Sequence, residues 1–463
     1  MLDAPNERTV SVEFACGTVL LRGALEEGPH LPGVVWDARA SAFRTPAYRF
    51  ADVASRIRAS GHVLDGDLSD AWSAAPRACD DLGLRPYQED ALRAWTAFGR
   101  RGVVALPTGA GKTRVAIAAI RTCGVPTVVL CPTRALLGHW ATELADKLAE
   151  PIGIVGDGDR RFERVTVMTF ESAYRHLDAV GERFGLLVVD EVHHFASGAR
   201  VDALAGCAAP ARLGLTATAP PAGSDGAVRL MEYVGPIVLE VSMGELVGTH
   251  LADLTVTRIN VRLAPDERDQ YDRLVAPFKE QRRAFFRRSP GATFTQMLRG
   301  LAATPDGRQA IWQHARGADL AYFPRAKRAV VRSLLARHRG DRAIVFTARA
   351  QDAYRIGEDN LVPVITGEVL AEERERILTK FRDGTVGAIA SARVLNEGID
   401  VPDARVAIVT GGTLGAREHV QRLGRVLRPA PGKRAIAYEL VTIGTMDERN
   451  AGSRGREHAA VGR

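Results

Sequence analysis

The chain has 463 residues, of which 46% are hydrophobic and 25% charged, and its Lys and Arg (62) outnumber its Asp and Glu (55). This length suits two or three domains rather than one core. No apolar run is long enough for a bilayer, no N-terminal signal pattern stands out, and Cys16, Cys79, Cys123, Cys131 and Cys207 form no Cys-x-x-Cys pair, which argues against a membrane span, a zinc ribbon, an iron–sulfur site or a secreted disulfide framework and predicts a reducing cytoplasm. The basic excess suits a nucleic-acid partner and, equally, a solvated Arg-rich surface.

Residues 1–82 read as a small mixed region. The spacing predicts a strand over 18–23 and a short helix over 48–61 (Phe50, Val53, Ile57), and Pro, Gly, Asp and Ala become frequent over 65–81, which predicts a linker. Arg85-Pro86-Tyr87-Gln88 follows. Gln88 can pair its amide with an adenine edge, helped by Arg85, or the four residues can simply open a helix over 88–98.

From 84 to 218 strands and helices alternate. Apolar runs predict strands at 103–106, 127–131, 165–169, 186–190 and 213–216, with a helix over 134–149, so this part reads as a βαβ series with a buried parallel sheet. Between the first strand and a helix lies Pro107-Thr108-Gly109-Ala110-Gly111-Lys112-Thr113, a phosphate-binding loop in which Leu106 stands where the usual first glycine falls. Its backbone N–H groups and the following helix N-terminus would cradle phosphates, Lys112 would reach the β/γ-phosphates, and the Thr113 hydroxyl would bind Mg²⁺. The strand at 186–190 ends in Asp190-Glu191, then Val192-His193-His194. Asp190 would hold the metal and Glu191 would accept the proton of the attacking water, at the sheet edge where ligands sit.

Residues 219–340 break the alternation. A loop is predicted over 219–226, and a charged helix over 266–288 carries Lys279, Arg282, Arg283, Arg287 and Arg288. Strands return at 343–346, 362–365, 386–390 and 406–409, with helices at 371–382 and 417–427, predicting a second doubly wound domain before an Arg/Gly-rich tail from 451. Gln421, Arg425 and Arg428 share one helical face, with Leu423, Val426 and Leu427 opposite and Pro429 as a stop. Two arginines so placed can clamp a γ-phosphate.

In this order, these segments resemble superfamily 2 helicases and DNA translocases over 85–441. Residues 107–113, 131–134, 190–194, 216–218, 344–347, 391–403 and 421–429 look like motifs I, Ia, II (the DEAD/DEAH box), III, IV, V and VI of that group. Asp-Glu-Val-His-His at 190–194, Gln-Arg-Leu-Gly-Arg-Val-Leu-Arg-Pro at 421–429 and the stretch 212–218 are similar to XPB-type helicases in their compact archaeal and bacterial form. One departure stands out. Where that family carries an Arg-Glu-Asp triplet proposed to open the duplex, this chain reads Ala219-Pro220-Pro221-Ala222-Gly223-Ser224-Asp225-Gly226.

The resemblance implies an α/β fold: two tandem RecA-like doubly wound parallel-sheet domains with a small α+β N-terminal domain and a helical insert. It places a damage-recognition-like domain with its linker at 1–82, the ATP-binding domain at 83–240, the C-terminal helicase domain at 241–450 with a thumb-like insert near 266–325, and a mobile tail at 451–463. It implies a DNA-stimulated ATPase and 3′-to-5′ DNA helicase serving excision repair or transcription bubbles, or, given the altered loop, a duplex translocase that separates no strands. ATP and Mg²⁺ are the implied cofactors. Arg85, Gln88, Thr108, Gly109, Ala110, Gly111, Lys112 and Thr113 face the nucleotide from one domain, and Gly398 and Asp400 from the other. Thr113 and Asp190 serve the metal, and Glu191, Gln421, Arg425 and Arg428 the chemistry. Thr216 and Thr218 couple hydrolysis to motion, and Thr133, Arg134, Thr169, Thr366 and Arg393 contact DNA phosphates. The implied setting is a monomer at the nucleoid, without a membrane, acting on duplex, forked or single-stranded DNA beside a nuclease or repair protein. An ATP-switched scaffold and a small-molecule kinase are the readings from other classes; the intact loop and the second α/β half speak against them.

Overall fold

A computed structural model of the chain describes residues 8–23, 31–72, 82–198, 200–246, 253–392, 404–411 and 434–451. The chain forms two compact units, Met1–Ser242 and Met243–Arg463.

The first unit opens with five short strands, β1 (Thr9–Ala15), β2 (Thr18–Gly23), β3 (Val35–Asp37), β4 (Ala42–Pro46) and β5 (Val63–Asp65), ordered β3-β4-β2-β1-β5. Cys16 and Gly17 both have positive φ, 49° and 71°, and close the β1–β2 hairpin as a two-residue turn whose twist matches the strands. Helix α1 (Phe50–Ala59) lays Phe50, Val53, Ala54 and Ile57 onto this sheet. The sequence predicts a linker from residue 65, yet Leu68–Trp72 forms a turn whose Trp72 is buried against the same core and donates from Nε1 to the Glu182 carbonyl at 2.8 Å. An indole with a satisfied N–H gains more by burial than a local Pro/Gly/Asp-rich composition implies. The rest of that segment, 73–81, lies outside the described residues.

The larger part of the first unit is an eight-stranded sheet: β6 (Arg101–Ala105), β7 (Thr127–Cys131), β8 (Ile152–Gly156), β9 (Asp159–Arg161), β10 (Val165–Thr169), β11 (Leu186–Val189), β12 (Ala211–Thr216) and β13 (Ile237–Glu240). The order is β13-β6-β12-β11-β7-β10-β8-β9, parallel except for the β8–β9 hairpin. Helices α2 (Pro86–Ala97), α3 (Lys112–Cys123), α4 (Arg134–Leu148), α5 (Phe170–Val180), α6 (Asp202–Ala205) and α7 (Asp225–Tyr233) connect or cover the strands. All residues of β7, β10, β11 and β12 are buried, which is why they read as largely apolar runs, interrupted by threonines in β10 and by Arg212 in β12. The strands not predicted, β8, β9 and β13, are glycine-containing, polar or edge segments without that signature.

The second unit begins with α8 (Met243–Leu246) and carries a six-stranded, all-parallel sheet: β14 (Asp253–Val261), β15 (Ala343–Thr347), β16 (Val364–Ile365), β17 (Ala388–Ala392), β18 (Val406–Val409) and β19 (Arg434–Thr442), ordered β14-β19-β18-β15-β17-β16. Between β14 and β15 lie α9 (Pro265–Arg288), α10 (Phe294–Ala302), α11 (Pro305–Tyr322) and α12 (Arg325–Arg337); α13 (Ala350–Asn360) and α14 (Ala371–Arg382) follow. Tyr271, Val275 and Phe278 form the buried stripe of α9 at i, i+4, i+7 spacing. α11 approaches it closely at Gly317, where an added Cβ would sit 2.7 Å from Val275 Cγ1. The expected architecture, two tandem RecA-like sheets with a small N-terminal α+β part and a helical insert, is the one observed.

Among the described residues, each unit also buries a cation completely. Arg212, in β12, is 0% exposed and has no carboxylate partner among the described residues; it donates to the carbonyls of Ala209 (3.0 Å), Leu204 (3.0 Å), Tyr233 (2.8 Å) and Cys207. Burial pushes its pKa down to about 10, so it stays charged at neutral pH. Lys327, in α12, is also 0% exposed and donates to Asp447 Oδ2 (2.6 Å) and to the carbonyls of Thr410 (2.5 Å) and Tyr322 (3.2 Å). Replacing Arg212 by Met orphans four carbonyls at once. The R212M protein is expected to lose about 3 kcal/mol of stability, read as a lower urea midpoint for the transition that exposes the buried Trp95 and Trp140.

Candidate active site

The loop after β6 and the strand ends of β11 and β12 meet at one edge of the first sheet, because β6, β12 and β11 are adjacent and parallel. Gly109 and Gly111 have φ of 86° and 77°, conformations in which a side chain is strained. Gly111 caps α3, and a Cβ there would also lie 2.5 Å from Gln88 Nε2. Lys112 begins the helix and points its Nζ back to the Leu106 carbonyl at 3.3 Å. Thr113 is the next residue of α3.

Gln88 holds this loop. Its Nε2 donates to the Ala110 carbonyl at 2.7 Å, its Oε1 accepts from the Arg85 backbone N–H at 2.9 Å, and Tyr87 OH donates to the same Ala110 carbonyl at 2.9 Å. Gln88 is 1% exposed. The sequence reading aims its amide at adenine; in the structure that amide is committed to the backbone of the phosphate loop, and the helix it opens starts at Pro86. Arg85 turns its Nη1 to Tyr87 OH at 3.3 Å.

Asp190 is 7% exposed. Trp140 Nε1, from α4, donates to its Oδ2 at 2.9 Å, and the Glu191 N–H donates to its Oδ1 at 2.9 Å. Burial, then the Glu191 charge, raise the Asp190 pKa to about 6, against the opposing pull of Lys112 and Trp140. Glu191 stands at φ 48°, ψ 46°, a left-handed conformation rare outside glycine and the kind of local strain that collects at functional sites. Its Oε2 lies 3.3 Å from His193 Nδ1, which is also 3.2 Å from Thr216 Oγ1. Thr216 Oγ1 donates to the Thr218 carbonyl at 2.9 Å and accepts from the Thr218 N–H at 3.2 Å. With the Thr216 proton so committed, the proton of this imidazole face belongs on Nδ1, and His193 links the acidic strand end to the one after β12.

The sequence reading omits Trp140. Its one signal was an indole within an otherwise amphipathic helix, whose N–H needs a partner when buried. Thr133 and Thr169 are N-caps of α4 and α5, accepting from Leu136 N (3.3 Å) and Ser172 N (3.2 Å). Arg134 pairs with Asp157 at 2.9 Å, and Thr366, in the second unit, is buried with its hydroxyl 3.1 Å from Tyr354 OH. The predicted loop over 219–226 ends earlier: Ser224 accepts from Ala227 N and caps α7, so Asp225 and Gly226 are its first turn. A Ser-Asp start stabilises a helix N-terminus, a signal the loop reading passed over. Arg393, Gly398, Asp400, Gln421, Arg425 and Arg428 lie outside the described residues.

The residues present fit a magnesium-bound nucleoside triphosphate. Thr108 Oγ1 and Thr218 Oγ1 are buried without a hydrogen-bond partner at this edge, two glycines leave the loop backbone open, and a lysine, a hydroxyl and two carboxylates supply the donor set such a ligand needs.

Residues 81–221 match the family described as type III restriction enzyme, res subunit, and 326–430 match the helicase conserved C-terminal domain, which together define a superfamily 2 helicase core. Residues 12–65 match the xeroderma pigmentosum group B helicase damage recognition domain. The DNA 3'-5' translocase XPB2 of Sulfurisphaera tokodaii is 35% identical over 435 residues, covering 92% of this chain and 97% of that protein. The chain therefore belongs to the XPB family of helicases and translocases. The putative DNA 3'-5' helicase Rad25 of Halobacterium salinarum is 32% identical over 86% of this chain, and the DNA 3'-5' helicase XPB of Mycobacterium tuberculosis 31% over 82%; the match spans 60% and 64% of those two proteins.

A metal held here would take Asp190 as the carboxylate, so a proton would compete for the same oxygens and binding would weaken as pH falls through about 6. Trp140→Phe removes a donor that favours the charged form. The acid limb of Mg²⁺-ATP binding, followed by isothermal titration across pH, is expected to move upward by about one pH unit in W140F.

Proposed function

We propose that this protein is an ATP-driven motor that moves 3′ to 5′ along DNA and opens it, in the service of DNA repair. The observation that carries this reading is the meeting of the phosphate loop, Asp190-Glu191 and the His193–Thr216 link at one edge of a single sheet, in a chain of the XPB family.

In this role the loop N–H groups and Lys112 would bind the triphosphate, and Thr113 with Asp190 would hold Mg²⁺, which would supply charge neutralisation at the transferred phosphate. Glu191, strained and held toward His193, accepts the proton of the attacking water. Gln88 and Tyr87 keep the loop in its binding shape, and Thr108 and Thr218 offer hydroxyls without an internal partner. Gly398, Asp400, Gln421, Arg425 and Arg428 would face the nucleotide from residues 241–450, with the two arginines contributing about 10³–10⁵ in rate. His193 and Thr216 relay the state of the acidic strand end to the segment leading into α7. DNA is gripped through its phosphates, which carry no sequence information and so suit stepping. The protein would act as a monomer on nucleoid DNA, in the company of a nuclease or other repair protein.

One observation favours a narrower role, translocation on duplex DNA without strand separation. Where the family's opening triplet is expected, this chain folds Ser224 and Asp225 into a helix cap and first turn.

Lys112→Ala is expected to abolish DNA-stimulated ATP hydrolysis, by at least about 100-fold, while DNA binding survives; normal turnover would remove the site assignment. Glu191→Gln is expected to bind ATP and hydrolyse it about 100-fold more slowly, measured as phosphate release under single-turnover conditions. Strand-separation assays on single-stranded, duplex and forked DNA, with K112A as the control, choose between the two roles. Hydrolysis stimulated by duplex without separation selects the translocase.

A further inference from the structure

A groove of about 440 Å³ lies within the second unit, between the α9–α11 hairpin and the first turns of α13, beside the carboxyl end of β15. Trp312, Arg316 and Asp319 of α11 line one side, and Arg349, Gln351 and Arg355 the other. α11 packs on α9 through Ala310, Gly317, Ala318 and Ala321, so Trp312 is left out of the buried stripe and is 62% exposed. The Arg316 guanidinium lies over its ring, 5.8 Å from the centroid, and has no carboxylate partner among the described residues. Arg349 pairs with Asp319 and lies 5.8 Å over the Tyr322 ring, while Arg355 is only loosely paired, 3.8 Å from Asp352. Gln270 and Leu274 of α9 complete the groove, and further along the same helix Lys279, Arg282, Arg283, Arg287 and Arg288 are exposed.

A large aromatic ring standing in a basic groove is the recurrent device for holding single-stranded nucleic acid: cations track the backbone and bases stack on the ring. In a duplex the base faces are already covered by their neighbours, so the ring selects an unpaired base. We propose that Trp312 is a stacking platform for an unpaired DNA base, with Arg316 steadying the ring and Arg349 and Arg355 drawing in the adjoining phosphates. This rests on the DNA-motor reading and extends it, because a platform for unpaired bases is of use only to a motor that exposes them.

The test uses the full chain, an oligothymidylate, the same strand with abasic sites, and a matched duplex, each followed by fluorescence anisotropy. Trp312→Ala is expected to weaken oligothymidylate binding about 5- to 100-fold, with Trp312→Phe restoring it to within about threefold and with duplex and abasic affinities unchanged. Among the five tryptophans only Trp36 and Trp312 are exposed, so base stacking should quench the intrinsic fluorescence of W36F and leave that of W312F unquenched. Wild-type affinity in W312A would overturn the proposal, as would an equal loss on the abasic strand, and in both cases DNA-stimulated ATP hydrolysis would still stand. A wild-type protein that neither binds DNA nor hydrolyses ATP faster in its presence would overturn both readings.

Discussion

Both units depend on a cation taken fully out of water and bound to backbone carbonyls. An isolated charge cannot be buried so deeply unless every donor finds a partner. Arg212 meets this with four carbonyls, gathering the 204–209 turn and the end of α7 around β12. Lys327 meets it with one carboxylate and two carbonyls, one of them Thr410 at the end of β18. The strands so fixed are central ones, and β12 leads directly into Thr216, one partner of His193. The rigidity of the phosphate-loop edge thus begins in the interior, one strand-length away from the chemistry.

The same logic of committed hydrogen bonds organises the edge. Gln88, Tyr87 and Trp140 are buried, and each donates to a backbone carbonyl of the loop or to the carboxylate of the acidic strand end. Against this background the hydroxyls of Thr108 and Thr218 differ in having no internal hydrogen-bond partner at this edge.

How much of this was legible in the sequence follows from which signals are local. The fully buried strands announce themselves because both of their faces are apolar, and the strand–loop–Gly-Lys-Thr–helix order needs only neighbours along the chain. Edge strands such as β9 (Asp-Arg-Arg) carry no such pattern, and their existence is decided by a hairpin partner. The Gln88 contact is legible only in part: the residue type marks the site, but its partner 22 residues on is a matter of tertiary packing. Trp140, 50 residues from Asp190, leaves no trace in spacing at all. The stretch 68–72 misleads for the converse reason, since one buried indole outweighs a composition that favours loops.

The second sheet has a further property. Its first strand, β14, pairs in parallel along its whole length with its last, β19, from Asp253↔Arg434 to Val261↔Thr442. Because the pairing is parallel, the chain enters that sheet at the Asp253 end of the pair and leaves it at the Thr442 end, a strand-length away. β14 lies at the margin of the sheet, and β19 is its ladder partner. The first strand of the sheet therefore waits for the last: its backbone groups gain their partners only when residues 434–442, the final strand in chain order, come into place.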